Sequence, residues 1–133
     1  MTKKNLFKMV GIDTTITKQF SFAAAHVLPN YQGRCNRLHG HEWEVKVTIK
    51  GPVEHASGMV MDFGELKKVV EAHVINVLDH SFLNDTIKNP TAEHICYWIY
   101  DRLSPHLEGL ESIQVWETKD SYATLTITEV ESK

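Results

Sequence analysis

The sequence predicts an α+β domain in which an antiparallel sheet carries two helices on one face, and three observations lead to this class. Apolar and polar residues alternate over residues 39–50, which is typical of a strand buried on one side. Two later segments repeat apolar residues at helical spacing instead. The predicted order is β-β-α-α-β-β, and its tight connections favour antiparallel pairing with both helices on one face.

The first predicted strand, residues 12–25, precedes that alternating segment and is expected to pair with it as a hairpin. Ile16, Phe20 and Phe22 share one parity, and β-branched threonines are frequent around them. In the second strand, residues 39–50, period-two alternation directs the odd positions towards the core and the even positions towards water.

The two helices and two more strands follow. Asp62 and Glu65 have the spacing of a capping box at the start of the first helix, and Thr91 is placed to cap the second. The last two strands are predicted at about 111–118 and 122–130. The sheet face opposite the helices is left open, so we expect subunit association to cover it.

Composition restricts the class of protein. The 133 residues fit a single domain, 1–133, with residues 1–11 as a loose lead-in. A formal charge of −3 gives no electrostatic support for general nucleic-acid binding. No apolar run approaches the roughly 20 residues that span a bilayer, and the first residues lack the apolar run of a signal peptide. With only two cysteines, no disulfide scaffold is expected, and we predict a cytoplasmic protein that binds no membrane.

Three of the eight histidines are expected to meet at one end of the sheet. His39 and His41 share a face of one strand, with Cα atoms roughly 6.5–7 Å apart. His26 follows the first strand, and a hairpin closed by the loop 27–38 brings it beside them. Three neutral imidazoles suit zinc, and three protein ligands leave the fourth position open, as in catalytic sites. The alternative is three ordinary histidines at strand ends, which Cys35 nearby makes less attractive.

Cys35 lies in the loop before this histidine pair. A thiol acts as a base or nucleophile only as the thiolate, and Arg34, Arg37 and a metal would all favour that form. Cys35 could instead be a fourth zinc ligand or a loop thiol without a role. Cys96 falls within the second helix and is expected to be a small core residue.

Two further places carry residues suited to acid–base work or ligand binding. Asp79 beside His80 can orient the imidazole and stabilise its cation, although a histidine at a helix end can also simply offset the dipole. Glu117 has the parity of the core residues of its strand, where a carboxylate is costly without a partner. It could accept two N–H donors from a guanidine-like ligand edge, or pair with a lysine or arginine.

Taken in order, these segments resemble the 6-pyruvoyltetrahydropterin synthase / 6-carboxytetrahydropterin synthase family. The resemblance runs from about Thr17 to Glu117, and although each segment is modest alone, their order is highly specific. The matching segments are Phe22-Ala23-Ala24-Ala25-His26, Cys35-x-x-x-His39-Gly40-His41, Gly58-Met59-Val60-Met61-Asp62-Phe63, Leu78-Asp79-His80-x-x-Leu83-Asn84, Asn89-Pro90-Thr91-Ala92-Glu93 and Trp116-Glu117-Thr118.

The resemblance implies the tunnelling fold (T-fold), with four antiparallel strands and two helices on one face of each subunit. Subunits of this family associate so that their sheets close into a barrel, commonly as two stacked trimers, and the sites lie between subunits. We therefore expect a homo-oligomer based on trimers, with six subunits. The resemblance also assigns roles: zinc (Zn2+) ligands His26, His39 and His41; catalytic groups Cys35, Asp79 and His80; pterin-binding residues Glu117 and Thr91.

Spacing favours one branch of this family. Three residues separate Cys35 from the His39-Gly40-His41 motif, as is typical of the branch that makes 6-carboxy-5,6,7,8-tetrahydropterin. Pyruvoyl synthases usually have a longer insertion, and relatives that cleave dihydroneopterin replace the cysteine with glutamate. The resemblance thus implies a zinc-dependent lyase of queuosine (7-deazaguanine) biosynthesis, which converts 7,8-dihydroneopterin triphosphate to that carboxypterin with release of acetaldehyde and triphosphate.

Two other functions stay open at this point. One is 6-pyruvoyltetrahydropterin synthase, which eliminates triphosphate without carbon loss. The other, of a different class, is a pterin- or purine-binding module in which zinc is structural. The sequence has no P-loop, so the triphosphate contacts are unassigned, with Arg34, Arg37 and lysines of a neighbouring subunit as candidates.

Overall fold

The computed structural model of the protein describes residues 11–29, 31–33 and 36–128. Nearly all of the predicted lead-in, Cys35 and the last residues of the final predicted strand lie outside this part of the chain. The elements in order are β1 (Thr14–His26), β2 (His39–Gly51), α1 (Phe63–Val70), a π-helical turn (Glu71–Ile75), α2 (Asn76–Leu78), β3 (Ser81–Phe82), a 3-10 turn (Leu83–Asp85), α3 (Ala92–Leu103), β4 (Leu110–Thr118) and β5 (Ser121–Thr126).

The strands form one five-stranded sheet in the order β3-β1-β2-β4-β5, and the predicted α+β class is confirmed. The pairs β1–β2, β2–β4 and β4–β5 are antiparallel, as expected. The structure adds β3, which pairs parallel to β1 at Ala24 and Ala25. The sequence did not predict β3 because a strand of two residues is too short to show alternation. The sheet does not close on itself within the described chain.

The β1–β2 hairpin is the longest pairing and sets the position of the site. Its register runs without a break from Thr14 opposite Gly51 to His26 opposite His39. The odd positions 43, 45, 47 and 49 of β2 are buried, as the alternation predicts. A slip of one residue would turn this whole apolar set to the other face, so burial specifies the register strongly.

The helices cover the face of the sheet that carries these buried side chains. The Asp62 side chain accepts a hydrogen bond from the Glu65 N–H at 3.1 Å, which confirms the predicted cap of α1. Buried residues recur every four positions from α1 to α2: Leu66, Val70, Val74 and Leu78. An ideal α-helix rotates about 40° past one full turn in four residues, so the wider π-helical turn helps to keep this row facing the sheet.

The opposite face of the sheet is more polar and is not covered by a described element. Trp116 stacks on Tyr122 there with ring centroids 3.7 Å apart, and the Lys46 ammonium lies 4.7 Å from the Trp116 ring. None of the helices in the described ranges is both long enough and apolar enough to cross a membrane.

Candidate active site

Three imidazole rings meet where β1 ends and β2 begins. The register places His26 opposite His39 and Ala24 opposite His41. His26 and Ala24 share a parity on β1, and so do His39 and His41 on β2; all three histidines therefore point to the same side of the sheet. The ring centroids are 4.4 Å apart for His26 and His39, 5.3 Å for His26 and His41, and 4.8 Å for His39 and His41.

The hydrogen bonds of these rings define which nitrogen carries the proton. His26 Nδ1 lies 2.8 Å from the Pro90 carbonyl oxygen, and His39 Nδ1 lies 2.7 Å from that of Arg37. A carbonyl oxygen only accepts hydrogen bonds, so Nδ1 is the donor in both rings and, in the neutral form, Nε2 carries the lone pair. This is the arrangement by which backbone carbonyls orient metal-binding histidines.

The three Nε2 atoms point inward at one another. His26 Nε2 and His39 Nε2 are 2.9 Å apart, although neither has a proton to share in the neutral tautomer. His41 Nε2 is buried and makes no hydrogen bond to any described residue. A buried nitrogen without a hydrogen bond and two lone pairs in contact are unfavourable unless a cation lies among them, so the residues present fit a metal ion.

Glu117 completes the cluster from β4. Its Oε1 is 3.3 Å from His26 Nε2 and 3.3 Å from His41 Nε2. The candidate ligand atoms of the three histidines and this carboxylate all lie within 4.8 Å of one another. Imidazole nitrogen and carboxylate oxygen are both usual zinc ligands. The cluster could therefore hold a metal ion with three histidines, or with Glu117 as a fourth ligand.

Burial favours the neutral, metal-binding form of two of these histidines. His26 is fully buried and His41 is partly buried. Burial is the largest cause that lowers the pKa of His26 and of His41, because it disfavours the imidazolium. Both rings are therefore kept neutral, which is the form that binds metals.

Trp43 is a supporting residue that the sequence analysis did not single out. Its indole packs edge-on against His26 and His41, with centroids 5.0 Å and 5.2 Å away. Its Nε1–H donates to the Ala24 carbonyl oxygen at 3.1 Å, and its ring stacks on Phe22. The available signal was its position two residues after His41, on the same face of β2.

The Asp79–His80 pair lies beside β1, just after α2. The Asp79 carboxylate accepts a hydrogen bond from the Ala23 N–H at 2.9 Å and lies 3.0 Å from His80 Nδ1. The Ala23 N–H is the main cause that lowers the pKa of Asp79, with His80 next. His80 has a left-handed backbone with φ of 60°, which is uncommon for residues other than glycine, and its side chain is 84% exposed.

An open concavity of about 440 Å³ lies along the ends of β1 and β2 that carry the site and reaches His80. Its lining includes His41, His80, Gly40 and Glu42, together with the β1 segment Ala23, Ala24 and Ala25. This volume falls within the usual range for small-molecule sites. A larger concavity of about 520 Å³ lies at the far end of β2, lined by Lys50 and His106 among others, and contains none of the predicted site residues.

Of the predicted site residues that the structure describes, only His41 and His80 are among the lining residues of this concavity. Cys35 and Thr91 are placed neither in the histidine cluster nor with the Asp79–His80 pair. Cys35 lies outside the described residues. Thr91 is described, but its hydroxyl accepts a hydrogen bond from the His94 N–H at 3.1 Å and caps α3, as the sequence predicts. Thr91 lies next to Pro90, whose carbonyl orients His26. Its pterin-binding role stays a prediction.

Comparison with known proteins identifies the family. Residues 15–128 match the family model described as 6-pyruvoyl tetrahydropterin synthase. The chain belongs to this family. The 6-pyruvoyl tetrahydropterin synthase resemblance inferred from the ordered segments is thereby confirmed, and the match covers both the histidine cluster and Glu117.

Individual relatives of the 6-pyruvoyl tetrahydropterin synthase family carry different names. A 6-carboxy-5,6,7,8-tetrahydropterin synthase from Synechocystis sp. is 43% identical over 115 residues, which cover 81% of this chain and 89% of the relative. A dihydroneopterin monophosphate aldolase from Pyrococcus furiosus is 40% identical over 100 residues, covering 73% and 83%. The solved 6-pyruvoyl tetrahydropterin synthase of Caenorhabditis elegans superposes with a TM-score of 0.80 at 26% identity, covering 88% and 97%, which confirms the T-fold.

Proposed function

We propose that this protein is a cytoplasmic, zinc-dependent 6-carboxy-5,6,7,8-tetrahydropterin synthase that acts on 7,8-dihydroneopterin triphosphate in queuosine biosynthesis. The observation that carries the proposal is the set of Nε2 atoms of His26, His39 and His41 that face one another at the end of the β1–β2 hairpin. The name of the Synechocystis relative and the three-residue spacing after Cys35 support the carboxypterin branch.

His26, His39 and His41 would hold the metal, which leaves a position open for substrate. Zinc bound there would supply Lewis-acid polarisation of the oxygens of the pterin side chain. The two carbonyls that accept from His26 Nδ1 and His39 Nδ1 keep both rings turned inward. The buried Trp43 indole packs against His26 and His41 on the core side and shields them from water there.

Asp79 and His80 would form one proton-transfer group. The Ala23 N–H holds one carboxylate oxygen, and the other oxygen faces His80 Nδ1. This arrangement leaves Nε2 of the exposed ring as the atom that exchanges protons with substrate, and the carboxylate stabilises the imidazolium after a proton is taken up. Cys35, as thiolate, would move protons on the opposite face of the side chain. Triphosphate would leave by elimination, one water would add, and a retro-aldol-type cleavage would release acetaldehyde.

Glu117 would anchor the pterin ring through two hydrogen bonds from its guanidine-like edge. The triphosphate needs cations that this concavity does not supply, since none of its described lining residues is lysine or arginine and Glu42 is acidic. We infer that Arg34, Arg37 or lysines of a neighbouring subunit bind it. This inference agrees with a trimer-based homo-oligomer whose sites lie between subunits.

A turnover experiment with product identification tests this function. Protein purified without a histidine tag is incubated with 7,8-dihydroneopterin triphosphate. The molecular mass of the pterin product is then measured by mass spectrometry. We expect the 6-carboxy product; a 6-pyruvoyl product would instead favour the pyruvoyl synthase. Faster cleavage of dihydroneopterin monophosphate than of the triphosphate would favour an aldolase like the Pyrococcus relative. Tight pterin binding without turnover would favour a binding module.

A further inference from the structure

The segment from Asp79 to Asn84 lies along the outer edge of β1. At its start, the Asp79 carboxylate accepts from the Ala23 N–H at 2.9 Å, and the His80 N–H donates to the Ala23 carbonyl at 2.6 Å. The two residues of β3 then pair with Ala24 and Ala25. The segment that begins with Asp79 and His80 is thus hydrogen-bonded to β1, the strand that ends in His26.

The Asn84 side chain continues this ladder beyond β3. Its Oδ1 accepts from the Val27 N–H at 2.9 Å, and its Nδ2 donates to the Val27 carbonyl at 2.8 Å. A carboxamide presents the same donor and acceptor as a peptide edge, so Asn84 adds one further rung to the sheet. Val27 directly follows His26, where the loop that carries Cys35 begins.

Asn84 is itself held firmly. It lies in the 3-10 turn Leu83–Asp85, and Leu83 is fully buried. The Leu83 carbonyl accepts from the Thr86 N–H at 3.0 Å and from the Ile87 N–H at 2.7 Å. The turn is therefore anchored in the core. The Asn84 carboxamide loses little conformational freedom when it hydrogen-bonds to Val27.

We propose that Asn84 is a positioning residue for the metal centre. By fixing both polar groups of Val27, it holds the end of β1 and so the direction of the His26 ring. The same turn follows Asp79 and His80 after the two residues of β3, so Asn84 also keeps the metal ligand and the proton-transfer pair in fixed relation. This role rests on the metal centre proposed above.

Metal affinity and ligand geometry test the proposal without reliance on turnover. The variants are Asn84→Ala, which removes both hydrogen bonds, and Asn84→Asp, which keeps the acceptor but places an oxygen against the Val27 carbonyl. Asn76→Ala, on the exposed side of α2, is the matched control. Zinc affinity is measured by competition with a chromophoric chelator, and the visible d–d bands of the cobalt-substituted protein report the ligand geometry.

We expect both Asn84 variants to bind zinc about 10–100-fold more weakly, as is usual when a group that orients a ligand is lost, and to show altered cobalt bands. Asn76→Ala should match the wild type. If Asn84→Ala does not fold, as judged by far-UV circular dichroism, Asn84→Asp decides the question. Wild-type affinity and cobalt bands in the folded variants would overturn the role of Asn84 alone. A wild-type chain that binds no metal would overturn the metal centre, and this role with it.

Discussion

His26 Nε2 lies 2.9 Å from His39 Nε2, although Nδ1 of each ring faces a backbone carbonyl. Such a contact between two lone pairs needs positive charge, either a metal ion or an extra proton on one ring. Burial lowers the pKa of His26 and so disfavours the extra proton. The geometry therefore favours a metal-binding centre over a hydrogen-bonded pair of histidines.

Removal of one of these ligands should release the metal. We expect His41→Ala to reduce the zinc content from about one ion per chain to a small fraction, because three ligands are the usual minimum for a catalytic zinc site. Inductively coupled plasma mass spectrometry of protein purified without a histidine tag measures the content. His55→Ala, in the exposed loop between β2 and α1, is the control and should keep its zinc. A full zinc content in His41→Ala would contradict the assignment.

Glu117 should act on substrate rather than on the metal. We expect Glu117→Gln to keep its zinc but to raise KM for the pterin substrate by one to two orders of magnitude, since a hydrogen bond to a charged group contributes about 1.5–3 kcal/mol. Steady-state kinetics and metal analysis of the same preparation separate the two effects. Loss of zinc with the glutamine variant would make Glu117 a metal ligand and would refute the anchor role.

The histidine cluster could be predicted from the sequence because its causes are local. Strand parity places His39 and His41 on one face, and a hairpin with an unbroken register brings His26 opposite them. Strong alternation of burial along β2 leaves this register no equivalent alternative.

Other parts of the site depend on contacts between segments far apart in the chain. The distance of Glu117 from the histidines follows from the pairing of β4 with β2, which the sequence of either strand does not specify. The Pro90 carbonyl, the Trp43 packing and the Asn84 side chain likewise act through tertiary contacts. Sequence patterns reveal regular spacing within a segment. Contacts between separate segments leave no such spacing, so the sequence alone does not predict them.

The two cysteines should differ sharply in reactivity. Burial raises the pKa of the Cys96 thiol to about 11, and its Sγ lies 3.7 Å from the Ile113 carbonyl oxygen. We expect Cys35→Ser to lose turnover while it keeps zinc, and Cys96→Ser to retain both. Labelling of the native protein with Ellman's reagent at pH 8 should detect a fast thiol that Cys35→Ser removes. Turnover at the wild-type rate in Cys35→Ser would exclude a catalytic thiol, and loss of zinc would make Cys35 a ligand.

The Asp79 charge should stabilise the fold in a pH-dependent way. Its pKa is lowered in the folded protein by the Ala23 N–H and then by His80, so its contribution is full above the unfolded pKa of about 3.9. The contribution disappears as the pH falls through the lower, folded pKa. Asp79→Asn keeps the acceptor and removes the charge. Urea unfolding at pH 7, 5, 4 and 3 should show a wild-type advantage that shrinks below about pH 4; an advantage independent of pH would contradict this.

The most direct test of the proposed activity is the yield of acetaldehyde per triphosphate released, with the metal removed and restored. In a reaction with 7,8-dihydroneopterin triphosphate, we predict that the two products form in equal amounts. Both should stop after treatment with a chelator and return on addition of zinc. Release of triphosphate without acetaldehyde, or undiminished acetaldehyde from the metal-free protein, would contradict a zinc-dependent carboxypterin synthase.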